Sequence, residues 1–185
     1  MNSILRKAIA FLLLLTAMQE LYAQEQPPFY NEIQQFKKQD SANFPPAHAI
    51  LFVGSSSFTK WQDVQSYFPA ETIINRGFGG SELRDLIRYA NDIIVPYHPK
   101  QIVIYAGEND LAYSDTVTAQ TVFSRVVILF NMLRSSLPGV PIIYLTDAVK
   151  SGSTESIAAN PLFDQTDSLL TRERLVSAVR PPRKR

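Results

Sequence analysis

The residues able to do chemistry gather in three glycine-bearing stretches. They are Val53-Gly54-Ser55-Ser56-Ser57-Phe58, Asn75-Arg76-Gly77-Phe78-Gly79-Gly80-Ser81 and Tyr105-Ala106-Gly107-Glu108-Asn109-Asp110-Leu111. A serine at a turn either caps a helix or projects its hydroxyl as an acyl acceptor. An asparagine there either shapes the turn or aims its amide at a developing oxyanion. The second stretch resembles a phosphate-binding loop only loosely, because the Gly-Lys-Ser/Thr ending of that motif is absent.

The rest of the composition narrows the chemistry. The chain has no cysteine, which excludes disulfides, thiolate zinc sites and a cysteine nucleophile together. His48 and His98 are its 2 histidines, too few for a histidine-rich metal site. Hydroxyls, carboxylates, amides and backbone groups remain. With 18 basic and 17 acidic residues and a net charge of +1, there is no broad electrostatic footprint for nucleic acid. The basic cluster at residues 180–185 includes two prolines and reads as a solvated end. At 45% hydrophobic and 19% charged, the 185 residues suit one globular domain.

Elements that would position these stretches follow from the apolar pattern. Residues 49–53, 72–74, 101–106 and 140–145 are short runs rich in Ile and Val, as expected of strands buried on both faces. Between them lie helical stripes, Leu83, Leu86, Ile87, Ala90 and Ile94, then Val122, Val126, Leu129, Phe130 and Leu133. Ser81 is the expected N-cap of the first, with Glu82 and Asp85 suited to its positive end. Strands alternating with helices predict a parallel sheet covered on both faces. Five of the 7 glycines (Gly54, Gly77, Gly79, Gly80 and Gly107) follow the first three strands. Strand-to-helix turns use glycine anyway; three successive turns treated alike point to a site at the carboxyl edge, where open parallel sheets bind ligands.

The N-terminus reads as an export signal over residues 1–23. Arg6 and Lys7 precede the apolar run of residues 8–15, and Leu21-Tyr22-Ala23 offers a cut before Gln24. The run is short for a membrane span, and no cysteine near the cut offers a lipid anchor. A retained amphipathic anchor is the competing reading. The expected location is secreted or periplasmic, with no stable membrane span after signal removal. Residues 24–48 form a lead-in with a helix over residues 30–39, whose stripe is Phe29, Ile33 and Phe36; Pro45 and Pro46 end it.

Taken in order, the three stretches resemble the sequence blocks of the SGNH (GDSL-like) hydrolases. Gly54-Ser55-Ser56 is similar to the Gly-Asp-Ser block with Ser in place of Asp. Asn75-Arg76-Gly77-Phe78-Gly79-Gly80 is similar to the second block and Gly107-Glu108-Asn109-Asp110 to the third. The resemblance covers about residues 50–145, within an expected domain of residues 49–146. It implies a flavodoxin-like three-layer α/β/α fold with a parallel sheet. It implies Ser56 as nucleophile, with the Gly80 N–H, the Asn109 amide and the Ser56 N–H as oxyanion donors. It also implies a small acyl-ester substrate, in the range of acetylated carbohydrates or lipids, and no metal or cofactor. Asp110 is expected to orient its turn.

The pattern breaks at the C-terminus. The family's fourth block, Asp-x-x-His, is missing, since no histidine follows His98. His48 and His98 precede the first and third strands, so each lies at the sheet edge opposite Ser56. Five strand residues at about 3.3 Å each put His48 roughly 16 Å from Ser56, beyond the reach of a general base. In residues 147–185, Leu169, Leu170 and Leu175 suggest at most one short helix, so this segment is expected to be divergent or truncated, as a shifted reading frame would leave it. The expectation is a serine ester hydrolase impaired by the missing histidine. The alternative is a non-catalytic domain binding an acyl or carbohydrate ligand. A flavodoxin-like cofactor domain is disfavoured by bulky Arg76 and Phe78. Nothing in the sequence specifies an oligomeric state.

Overall fold

The computed structural model of the chain describes residues 26–145 and, for the backbone, residues 168–170. The expected signal segment, and residues 146–185 apart from those three, lie outside the described residues.

Five parallel strands form one sheet in the order β2-β1-β3-β4-β5, with β1 Ile50–Gly54, β2 Ile73–Gly77, β3 Gln101–Tyr105, β4 Ile142–Leu145 and β5 Ser168–Leu170. All five residues of β1 are buried, as the unbroken apolar run requires for a central strand covered on both faces. Side chains alternate across the pleat. Ile50, Phe52, Val103, Tyr105, Ile143 and Leu145 share one core with Phe58, Val64 and Phe68, which come from α2 (Ser56–Lys60), α3 (Val64–Tyr67) and the residue after α3. On the other face lie α4 (Leu83–Ile93) and α6 (Ala119–Ser136), packed on each other. There Phe130 meets Tyr144 edge-on, with ring centroids 6.3 Å apart. The result is the three-layer α/β/α architecture expected from the sequence, with flavodoxin-like strand order.

The expected strands and helices are present with shifted ends. The lead-in helix α1 runs Tyr30–Ala42. The second strand extends to Gly77, so Asn75 and Arg76 belong to it and not to the turn. Its burial alternates because β2 is an edge strand, and the ladder to β1 continues through Gly54↔Gly77. Arg76 is tolerated at a buried position because α1 covers it. Its guanidinium donates to Asp40 at 2.5 Å and to the Tyr97 hydroxyl at 2.7 Å, and lies over the rings of Phe36 and Tyr97. Burial and the hydrogen bond to Asp40 push the Tyr97 hydroxyl up to about 12. On α4, Tyr89 and Ile93 join the buried stripe, whereas Ile87 is half-buried.

The C-terminal reading needs one correction. Leu169 and Leu170 do not belong to a helix. They pair with Tyr144 and Leu145 in β5, so the sheet has a fifth strand. Two adjacent leucines carry no period, and only the open edge of β4 decides their conformation.

Candidate active site

Register brings the three stretches level. Gly54 pairs with Gly77 on one side and with Tyr105 on the other, so the residues that follow all leave from one edge of the sheet. Gly54 has φ +137°, and a β-carbon on it would fall 2.0 Å from the Tyr105 carbonyl oxygen. Only glycine lets the chain turn there. The Ser55 N–H then donates to that same carbonyl at 2.9 Å, and Phe78 N–H donates to the Gly54 carbonyl at 2.8 Å. These bonds tie the first turn to its two neighbours.

Ser56 is the first residue of α2 and is half-buried. Its hydroxyl and its N–H make no hydrogen bond to another described residue, and neither does the Gly80 N–H. The second turn lies against it: a β-carbon on Gly79 would stand 3.7 Å from the Ser56 Cβ. Gly80 takes φ +88°, a conformation that favours glycine. Ser55 occupies the N-cap position of α2 without making a side-chain cap bond. Its hydroxyl instead accepts from Asn109.

Asn109 joins all three turns. Its Nδ2 donates to Ser55 Oγ at 2.7 Å and to the Ser81 carbonyl at 2.9 Å. A carbonyl only accepts, which fixes the amide nitrogen on that side. Both amide hydrogens thus have acceptors, so an oxyanion would have to displace one of them. The Ser55 hydroxyl is the exchangeable partner, because it can rotate while the Ser81 carbonyl is held in the backbone.

Behind this arrangement stand Ser81, Glu82, Asp85 and Asp110, which the sequence singles out, and Arg125 and Tyr144, which it does not. Ser81 is wholly buried and does not cap α4. Glu82 is the N-cap, in a reciprocal pair with Asp85 whose carboxylate accepts from the Glu82 N–H at 2.9 Å. Burial raises the Asp85 carboxyl above its ordinary value, opposed by that backbone bond. The acidic spacing Glu82-x-x-Asp85 is the sequence signal for this cap. Asp110 is fully buried; it accepts from Leu83 N–H at 2.9 Å and pairs with Arg125 at 2.5 Å. Tyr144 donates to the Ala106 carbonyl at 2.8 Å beneath Gly107, and burial holds its hydroxyl well above the usual tyrosine range.

Both histidines lie at the amino edge. The His48 N–H donates to the His98 carbonyl at 3.3 Å, and both side chains are exposed. They line a cleft of about 360 Å³ with Lys100 and Pro138, at the end of β1 remote from Ser56. Among the described residues no cluster of His, Asp and Glu is arranged to hold a metal ion, and no helix is long and apolar enough to cross a membrane.

No protein-family model and no curated protein matches the sequence. Solved structures do match. A protein assigned as an acylhydrolase from Bacteroides fragilis is 20% identical with a TM-score of 0.56, over 66% of this chain and 59% of that one. A GDSL-like lipase from Bacteroides thetaiotaomicron is 14% identical with a TM-score of 0.55, over 75% and 77%. The SGNH-hydrolase family esterase AlinE4 is 17% identical with a TM-score of 0.53, over 76% and 84%. The chain spans less than two thirds of the Bacteroides fragilis protein. At these identities the likeness is one of fold: the chain has the parallel α/β fold of the SGNH and GDSL-like hydrolases.

Proposed function

We propose that the chain is an exported serine ester hydrolase acting on small acyl esters, with Ser56 as nucleophile. The oxyanion donors are the N–H groups of Ser56 and Gly80 and the Asn109 amide. One observation carries this reading: Asn109, reaching from the third turn, bonds the residue beside Ser56 and the residue beside Gly80. The N–H groups of Ser56 and Gly80, with no acceptor among the described residues, suit a tetrahedral intermediate bearing a negative oxygen. Attack by the Ser56 oxygen on the ester carbonyl forms an Oγ–C bond, moves the carbonyl electrons onto oxygen and releases the hydroxyl proton to solvent water, which returns a proton to the leaving oxygen. Collapse expels the alcohol and leaves an acyl-serine, which water then cleaves.

A second reading, a domain that holds an acyl or carbohydrate ligand without cleaving it, is favoured by the position of the histidines. Neither reaches Ser56, so no described residue is a histidine base for the hydroxyl. A serine and oxyanion hole without a base retain catalysis of order 10³–10⁴ over water in serine proteases. The test is nitrophenol release from nitrophenyl acetate by the chain and by Ser56→Ala. A rate that depends on Ser56 supports hydrolysis, whereas equal rates reject Ser56 catalysis and leave the binding reading.

A further inference from the structure

We propose that Arg125 is a positioning residue for this site, fixing the Gly80–Ser81 turn against Asn109 by way of Asp110; the proposal rests on the ester-hydrolase reading. Arg125 lies on α6, and its hydrogen bonds go to Asp110 and Glu82 and not to the glycines or serines of the three stretches. Its Nη1 donates to Asp110 Oδ1 at 2.5 Å and to Glu82 Oε2 at 3.2 Å. The other Asp110 oxygen accepts from Leu83 N–H at 2.9 Å. Asn109, the preceding residue, grips the Ser81 carbonyl at 2.9 Å. Adjacent residues of α5 (Glu108–Ala112) therefore hold the entry to α4 at two points, on either side of Glu82.

Electrostatics make Arg125 the support of that grip. Asp110 is wholly buried, and Arg125 is the basic side chain paired with it among the described residues. Arg84, itself exposed, pairs with Glu82 and not with Asp110. A buried carboxylate stripped of its cation is costly to hold in place and is drawn toward water. Movement of Asp110 lengthens the bond from Leu83 and drags α5 and the Asn109 amide with it. A donor displaced by about 1 Å costs on the order of a hundredfold in rate.

The test uses the full chain and a fluorophosphonate ester. Ser56 Oγ attacks phosphorus, the Oγ–P bond forms as the P–F bond breaks, fluoride departs and the hydroxyl proton passes to solvent. The phosphoryl oxygen then occupies the oxyanion position. Labelling rates are read by intact mass for the natural chain, Ser56→Ala, Arg125→Met, Arg125→Lys, Asp110→Asn and the Arg125→Met/Asp110→Asn double variant, all below their melting temperatures. The Asn109 side-chain amide signals and the exchange rate of the Leu83 N–H are followed by NMR.

The expected result is labelling that requires Ser56 and slows on the order of tenfold to a hundredfold in Arg125→Met. Arg125→Lys recovers part of the loss, and the double variant is no slower than the worse single one. The Asn109 signals move and Leu83 exchanges faster. Unchanged labelling with unchanged Asn109 signals in Arg125→Met overturns the proposal. If the natural chain is labelled no faster than Ser56→Ala, the hydrolase reading fails, and the two NMR measurements alone then decide whether Arg125 positions Asn109. If Arg125→Met does not fold, Arg125→Lys and the near-isosteric Asp110→Asn decide by the same readouts.

Discussion

Replacing Gly54 by alanine tests the turn that delivers Ser56. Two penalties combine there. The backbone sits at φ +137°, which an L-residue adopts at a cost of about 1–2 kcal/mol. The new β-carbon would also lie 2.0 Å from the Tyr105 carbonyl oxygen and 2.8 Å from its carbonyl carbon. Those atoms belong to the neighbouring central strand and cannot swing aside as a side-chain tip would. Forced overpacking of this kind adds about 1–3 kcal/mol. Gly139 supplies the internal control, since it also has positive φ, +74°, but nothing within 4 Å of an added methyl carbon. Gly139→Ala should cost about 1 kcal/mol, and Gly54→Ala roughly 2–5 kcal/mol. In thermal melts that is a loss of about 3 °C against about 6–15 °C. Urea midpoints read with unchanged slope separate stability from a change in the unfolded chain. If Gly54→Ala melts within a degree or two of Gly139→Ala, the close approach of β1 to β3 is not what demands glycine, and the argument fails.

Other expectations follow from the buried polar contacts. Asp40→Ala leaves Arg76 buried beside Tyr97 without its anion, and a loss of about 3–5 kcal/mol in denaturant titration is expected. The Tyr97 hydroxyl, held at about 12 against an ordinary 10.0, keeps its proton more tightly in the folded than in the unfolded chain. Its stabilising effect is complete below pH 10 and is lost as pH rises toward 12, by about 3 kcal/mol; Tyr97→Phe should flatten that slope in melts across the window. Tyr144→Phe removes the bond to the Ala106 carbonyl and leaves that acceptor buried, a cost of about 1–2 kcal/mol.

The central strands are legible in the sequence because burial on both faces writes an unbroken apolar run, as in Leu51-Phe52-Val53 and Ile102-Val103-Ile104. The edge strand is legible only in part: Asn75 and Arg76 look like turn residues until α1 is known to lie over them. The Ser56, Gly80 and Asn109 stretches stand out because each follows a strand with its own glycine. Of their supports, Glu82, Asp85 and Asp110 also stand out, but Arg125 does not. Arg125 stands 15 residues from Asp110 and 43 from Glu82 along the chain, and in the sequence it is simply a charge beside the apolar stripe of α6. Ser81 looks like a cap because a serine before an apolar stripe commonly is one; here two carboxylates, Glu82 and Asp85, cap the helix between them.

The clamp on Arg76 also ties the lead-in helix to the edge strand. A chain shortened to residue 49, where the first strand run starts, would strip Asp40 and Phe36 from a guanidinium buried in the edge strand. The helix of the lead-in is therefore a fixed shutter over that edge. A protease nick in the exposed loop between Ala42 and Ala49 should leave the two pieces bound to each other, held by the Asp40–Arg76 and Lys37–Asp92 ion pairs, the buried Ile33 and the rings around Arg76.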